Sequence, residues 1–352
     1  MKKYESNPFT LSFGSSPYEY IPRINEVQNI VTNLFSSTPS THCYIITGVR
    51  GSGKTVTLTT VANKISEDDK WIVVELNPED DMREALAAKL YTTGKIKRFF
   101  TEKDFSFSFQ GFSFSITGKN PILNIDDLLD KMFAHLNKMG EKVLVVVDEM
   151  SNNTYARQFS LSFQILIRKN YPLFLVATGL YENISSLENE KNMTFLIRAQ
   201  KIYMSPLNLL AISKSYSQLL SMDEKEARKA AKETKGYAFA FQLLGYLLYE
   251  NNKTKLDEKL LTTFDVYMEE YVYSKIWALL SEVEKKIAIA FDSNKDVNTS
   301  LILEKTGYTK EYLSKYRDRL IKKGIIYSRE RGKMCFALPR FKEFIDSTLL
   351  FE

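Results

Sequence analysis

Two cysteines and two histidines are all the thiols and imidazoles that the 352 residues offer as metal ligands. Cys43 and Cys335 lie far apart in the sequence and His42 and His135 are the only imidazoles, so neither a disulfide framework nor a zinc cluster can be built from that set. Glycine and proline are sparse, 14 and 9 residues, which argues against a disordered or fibrous class. No apolar run approaches the roughly 18 residues of a membrane span. The start "MKKYESNPFTLSF" has no apolar segment behind its lysines, so a cytoplasmic protein without membrane contact is expected. Aromatics are plentiful, with 23 Phe and 20 Tyr, and 44% of the residues are hydrophobic. The length suits two or three domains of about 100 to 200 residues.

The stretch "YIITGVRGSGKTVTL" fits G-x-x-x-x-G-K-[ST] with Gly48, Gly53, Lys54 and Thr55. Glycines let a backbone curl until successive N–H groups face a phosphate, and the helix that follows adds its positive end. The loop of Gly48, Val49, Arg50, Gly51, Ser52, Gly53, Lys54, Thr55 and Val56 is therefore expected to bind a nucleoside triphosphate. Lys54 would reach the β- and γ-phosphates and Thr55 would ligate Mg²⁺. The context suits this: "CYIIT" reads as a buried strand, and Leu58, Val61 and Ile65 recur at helical spacing.

A second signal supports the first. In "KVLVVVDEM" five apolar residues, Val143 to Val147, run into Asp148 and Glu149, as a strand buried on both faces would. Ligands of open α/β sheets bind at the carboxyl ends of the strands. Asp148 is expected to hold Mg²⁺ and Glu149 to be the base that activates water. "WIVVELN" and "PLFLVATG" complete a parallel sheet with intervening helices, and Thr178, at the tip of the latter, would sense the γ-phosphate or position the water.

Between these strands, "DFSFSFQGFSFSITG" alternates Phe and Ser about Gln110 and Gly111. That pattern predicts a β-hairpin near 104–118, its Phe face covered by its own domain or by a partner. Residues 205–275 read as a helical region. From 276 a Ser281-capped helix, a turn at Gly307, a basic helix ending at Gly324 and two strands around "RERGK" predict a winged helix-turn-helix. Leu313, Tyr316 and Leu320 form its expected buried stripe, which leaves Lys315, Arg319 and Lys322 outward, with Arg329, Arg331 and Lys333 in the wing. Residues 299–345 carry twelve Lys or Arg against five Asp or Glu, although the whole chain has a net charge of only +5. Such an asymmetry is the footprint of a face for duplex DNA.

The order of phosphate loop, "VVVDE" strand, polar-tipped "LVATG" strand, "RAQKIYMSPL" and "KGYAFAFQLLGYLL" resembles the AAA+ superfamily, in the branch of origin-recognition-like and archaeal-type ATPases that overlaps the STAND ATPases. The resemblance implies an α/β fold with a P-loop parallel sheet of AAA+ type (1–204), a helical lid (205–275) and a C-terminal winged helix (276–352). It also implies ATP and Mg²⁺ as cofactors and a homo-oligomer or protein partner. By resemblance, Arg23 and Glu26 of "EYIPRINEV" line the adenine pocket, with Pro22 where the family usually has Gly. Asn77 matches the residue that restrains the catalytic Glu, a strand-to-loop turn being the alternative. Arg198 matches the arginine that reaches a neighbouring subunit's γ-phosphate. The lid departs from the pattern in having no Arg between Tyr237 and Leu248 and in placing Ala238 where a STAND-type "GxP" has Pro. An ATPase controlling DNA contact is the leading expectation, a STAND-like signalling or defence switch is the alternative, and a degenerate scaffold is disfavoured by the intact Lys54, Thr55, Asp148 and Glu149.

Overall fold

The structure, a computed structural model, describes residues 6–12, 17–103, 105–106, 120–122, 124–191, 193–328 and 330–351. The chain divides into two compact units, one of residues 24–47 and 57–202, the other of residues 1–23, 48–56 and 203–352. Among the described residues no helix is long and apolar enough to cross a membrane.

The first unit is built on strands β1 (Cys43–Thr47), β2 (Trp71–Leu76), β3 (Lys142–Val147), β4 (Leu173–Gly179) and β5 (Gln200–Tyr203), in sheet order β2-β3-β4-β1-β5. This is the expected parallel α/β sheet. Every residue of β1 and β4 is buried, as are Val143 to Val147, because β-branched side chains on a central strand pack against helices on both faces. Register brings Ile46 opposite Thr178 and Val147 opposite Ala177, so Thr47, Asp148 and Thr178 share the carboxyl edge. Burial inside this core pushes the Cys43 thiol up to about 12, which leaves it an inert hydrophobe. The expected hairpin falls mostly outside the described residues; Phe105–Ser106 pairs in parallel with Asn120–Pro121.

Helix α1 (Lys54–Ser66) follows the Gly-rich loop and buries Leu58, Val61 and Ile65. In the second unit, helices α2 (Glu224–Glu233) and α3 (Ala238–Glu250) are joined by a tight turn in which Lys235 and Gly236 both have positive φ, 48° and 76°. Gly245 in mid-helix would ordinarily cost stability. Here a Cβ would lie 2.5 Å from the ring of Phe9, so the glycine admits the N-terminal segment, where Phe9 meets Tyr216 and Phe241 edge-on.

The last part of the chain forms α4 (Glu282–Ile289), β6 (Val297–Asn298), α5 (Thr299–Thr306), α6 (Lys310–Lys323), β7 (Ile326–Tyr327), β8 (Lys333–Phe336) and a final helix at Phe341–Phe351. The strands make an antiparallel sheet of order β6-β8-β7. Ser281 and Glu284 form a reciprocal capping box at the start of α4. One apolar core runs without interruption from Phe9 through Tyr216, Leu244 and Tyr273 to Phe336 and Ile345.

One packing expectation needs correction. Leu313 and Leu320 are buried, but Tyr316 is only half-buried at the rim, with its ring beside Tyr312 and under the Arg319 guanidinium. Its phenol keeps it at the water boundary. The next place in the stripe is taken by Lys323, which is buried because its ammonium meets the buried Glu284 carboxylate at 2.8 Å.

Candidate nucleotide site

The loop from Gly48 to Gly53 curls through positive φ at Gly51 (73°) and Gly53 (90°), where an L side chain would be strained. Its carbonyls can be followed one by one. Lys54 Nζ donates to the oxygens of Gly48 and Val49, each at 3.1 Å, and Ser52 N–H adds a bond to Val49 at 3.2 Å. The Arg50 carbonyl accepts from the Tyr237 hydroxyl, the Gly51 carbonyl from Phe239 N–H at 3.0 Å, and the Ser52 carbonyl from Arg23 Nη2 at 2.9 Å. Five successive oxygens, the groups an anion must avoid, are thus held by donors of the protein. Carbonyls engaged in this way are what a backbone curl for an anion requires. Ser52 Oγ is buried with no hydrogen-bond partner among the described residues, which suits a polar ligand in the loop.

In the other unit, the Thr178 hydroxyl, completely buried, donates to Asp148 Oδ1 and accepts from Glu149 N–H at 2.9 Å. Glu149 N–H also faces Asp148 Oδ1 at 3.2 Å. These bonds hold Glu149, an exposed residue, at φ 55°, a left-handed conformation that non-glycine residues rarely adopt. Strain of this kind costs on the order of 1–3 kcal/mol and persists only where its surroundings impose it. The hydroxyl proton of Thr178 is therefore committed to Asp148, and the residue sets the geometry of the two acids.

Among solved structures, the chain is similar to the ORC2 protein of Aeropyrum pernix in its ADPNP and ADP complexes, at 14% identity and a TM-score of 0.52, over 95% of this chain and 96% of that one. It is also similar to Cdc6p of Pyrobaculum aerophilum, at 15% identity and a TM-score of 0.46 over 97% of each chain. The AMPPCP-bound DnaA of Aquifex aeolicus is similar at 12% identity and a TM-score of 0.44, over 87% of this chain and 92% of that one. The chain has the AAA+ ATPase fold. Residues 270–345 match a family described as a domain of unknown function, DUF8462. No curated protein matches the chain.

Within the AAA+ fold, the remaining expected residues lie as follows. Arg23, just ahead of the helix Ile24–Phe35, donates to the carbonyls of Ser52 and Ser205, which ties the loop to the segment after β5. Glu26 is in the first turn of that helix. Arg198 is exposed, between the short helix Thr194–Ile197 and β5. Asn77 closes its own turn, accepting from Glu79 N–H at 3.1 Å and donating to Asp80 at 2.9 Å. Sequence reasoning missed Tyr237 and Phe239. Both lie in the quoted "KGYAFAF" stretch, but one acts through a phenol that burial makes a very weak acid and the other through a backbone N–H, and that pattern specifies neither group.

On the basic face, Lys315 and Arg331 are exposed. Arg319 lies 3.8 Å from Glu284, Lys322 is 2.7 Å from Asp318 and Lys333 is 2.8 Å from Glu330, so three of the expected cations carry acidic neighbours. Arg329 lies outside the described residues.

Proposed function

We propose that the chain is a Mg²⁺-dependent ATPase whose nucleotide state governs contact with duplex DNA through a C-terminal winged helix-turn-helix. The observation that carries this reading is the phosphate loop with its carbonyls engaged by protein donors and Lys54 folded over them. The nucleotides named for the ORC2 structure fit the same reading. On binding, the Lys54 ammonium would exchange two neutral carbonyls for phosphate oxygens, a gain of a charge-assisted contact. Thr55 and Asp148 are assigned to Mg²⁺, whose chemistry there is neutralisation of charge on the phosphate oxygens. Glu149 is assigned to the attacking water as base, with Thr178 as the residue that positions both acids. Arg198, exposed ahead of β5, is assigned to the γ-phosphate bound by a neighbouring copy.

The DNA arm rests on the order α4-β6-α5-α6-β7-β8, which is that of a winged helix, and on the surplus of seven positive charges in residues 299–345, twelve basic minus five acidic. The ATPase rate with and without duplex DNA, measured across protein concentration, tests it: stimulation by DNA is expected. A specific observation favours a second reading, a STAND-like switch acting through a protein partner, because Arg319, Lys322 and Lys333 already have acidic neighbours that DNA would have to displace. Turnover indifferent to DNA would transfer the conclusion to that reading.

A further inference from the structure

The turn Lys235-Gly236-Tyr237 touches two distant parts of the chain at once. Tyr237 sends its hydroxyl to the Arg50 carbonyl in the phosphate loop. Lys235, two residues earlier, sends its ammonium to the carbonyls of Phe336 at 3.0 Å and Asn294 at 3.2 Å, at β8 and in the segment ahead of β6. The turn has little freedom to absorb a displacement. Lys235 and Gly236 are both held at positive φ, and a Cβ on Gly236 would lie 2.6 Å from the Leu207 carbonyl. Its exit is fixed too, since Phe239 N–H bonds the Gly51 carbonyl and Ala238 Cβ lies 3.6 Å from where a Cβ of Gly53 would stand. Gly51 is equally tight, its hypothetical Cβ being 2.5 Å from the Tyr237 hydroxyl. The loop is thus held in one shape, and the group free to move on binding is the Lys54 ammonium: a shift of the Arg50 carbonyl, once Lys54 leaves its neighbours Gly48 and Val49 for an anion, would be felt by Tyr237 and through the turn by Lys235.

We propose that Lys235-Gly236-Tyr237 is a relay: Tyr237 is a positioning residue that holds the phosphate loop ready for nucleotide, and Lys235 carries the resulting change to the C-terminal sheet. This deepens the reading of the loop as a nucleotide site and rests on it. Holding the Arg50 carbonyl in place before the anion arrives spares the binding step the cost of ordering the loop. Coupling requires two arrangements whose balance both sites bias, and the polar contacts of this turn are the elements that would differ between them.

The test uses the full chain, Mg·AMPPNP as probe, fluorescence anisotropy of a labelled nucleotide for affinity, and hydrogen–deuterium exchange over residues 325–345. In the wild type, nucleotide is expected to slow exchange in that segment. Lys235→Met should bind nucleotide within about twofold of wild type but lose the nucleotide-dependent protection, a split that a purely structural role would not give. Tyr237→Phe should bind about fivefold more weakly, the equivalent of one neutral hydrogen bond, and also lose the protection at saturation. If the wild type binds and Lys235→Met keeps full protection, or Tyr237→Phe keeps full affinity, the relay is overturned while the nucleotide site stands. If the wild type binds no nucleotide, the nucleotide reading falls and takes the relay with it.

Discussion

Replacing Thr178 by Val removes one hydroxyl from the carboxyl edge of the sheet and little else. Valine keeps the branched shape in a fully buried place on β4, so no cavity opens. Two bonds go. The donor to Asp148 is charge-assisted, worth about 1.5–3 kcal/mol, and the acceptor for Glu149 N–H is worth about 0.5–1.5 kcal/mol. Glu149 N–H retains Asp148 Oδ1 at 3.2 Å, and Asp148 is half-exposed and regains water, so the net loss should be about 2 kcal/mol. Trp71 opens β2 in the same unit, so urea titration of a Trp277→Phe background reads this loss directly. Turnover should suffer more. With its anchor gone, Glu149 can relax from φ 55°, and a misplacement of about 1 Å in a catalytic group can cost on the order of 100-fold in rate. Thr178→Ser, which restores the hydroxyl, should recover most of the activity. A Thr178→Val protein with unchanged urea midpoint and wild-type turnover would refute the assignment of Thr178 as the residue that sets the acids.

Lys54→Ala should abolish tight ATP binding in equilibrium titration, whereas Glu149→Gln should keep ATP bound and unhydrolysed in single-turnover assays; near-normal affinity in the first or full turnover in the second would misplace the site. Arg198→Ala should bind ATP yet lose turnover, and mixing it with Glu149→Gln should restore some activity; specific activity independent of concentration in a monomer would end the trans role. In DNA titrations of the full chain at several salt concentrations, each phosphate contact contributes about −0.9 to the log–log slope, so Lys322→Ala should flatten it by about one. An unchanged slope would remove Lys322 from the interface. The buried Glu284 is disfavoured as an anion by desolvation, yet the bonds from Lys323 and Ser281 outweigh this and hold its carboxyl below the usual range. A depressed folded value means stability that is present above the unfolded value and lost as pH falls through the folded one. Glu284→Gln, which removes the carboxylate charge that faces the buried Lys323 ammonium, should cost about 3 kcal/mol and flatten the acid limb of a pH–stability curve. An acid limb identical to that of wild type would sink this.

What the sequence revealed and what it hid divide along one physical line. The Gly-rich loop and the Val143–Val147 run that leads into Asp148 and Glu149 are each contiguous, and their local shapes are set by neighbours a few positions away, so spacing alone locates them. Gly307 and Gly324 ended their helices as expected because a left-handed cap is a local matter. Thr178's bond to Asp148 spans thirty residues and Lys323's bond to Glu284 thirty-nine, and helical or strand periodicity carries no information at that range. Tyr316 shows the same limit from the other side. A period of three and four puts it in the stripe, but only the positions of Tyr312 and Arg319 show that its ring stops at the rim.

The uninterrupted apolar core that runs from Phe9 to Ile345 has a practical consequence for anyone who would take the protein apart. A cut near residue 275 falls inside the helix Ser274–Ala278, strips Tyr273 from its neighbours Phe341 and Phe344, and leaves both fragments with a raw hydrophobic face. The C-terminal residues are thus no cassette to be grafted onto another enzyme or expressed alone as a reporter of binding. Any transplant would have to carry the helices from Leu209 onward and the Phe9 segment with them, and a protease that nicks one part should expose the other.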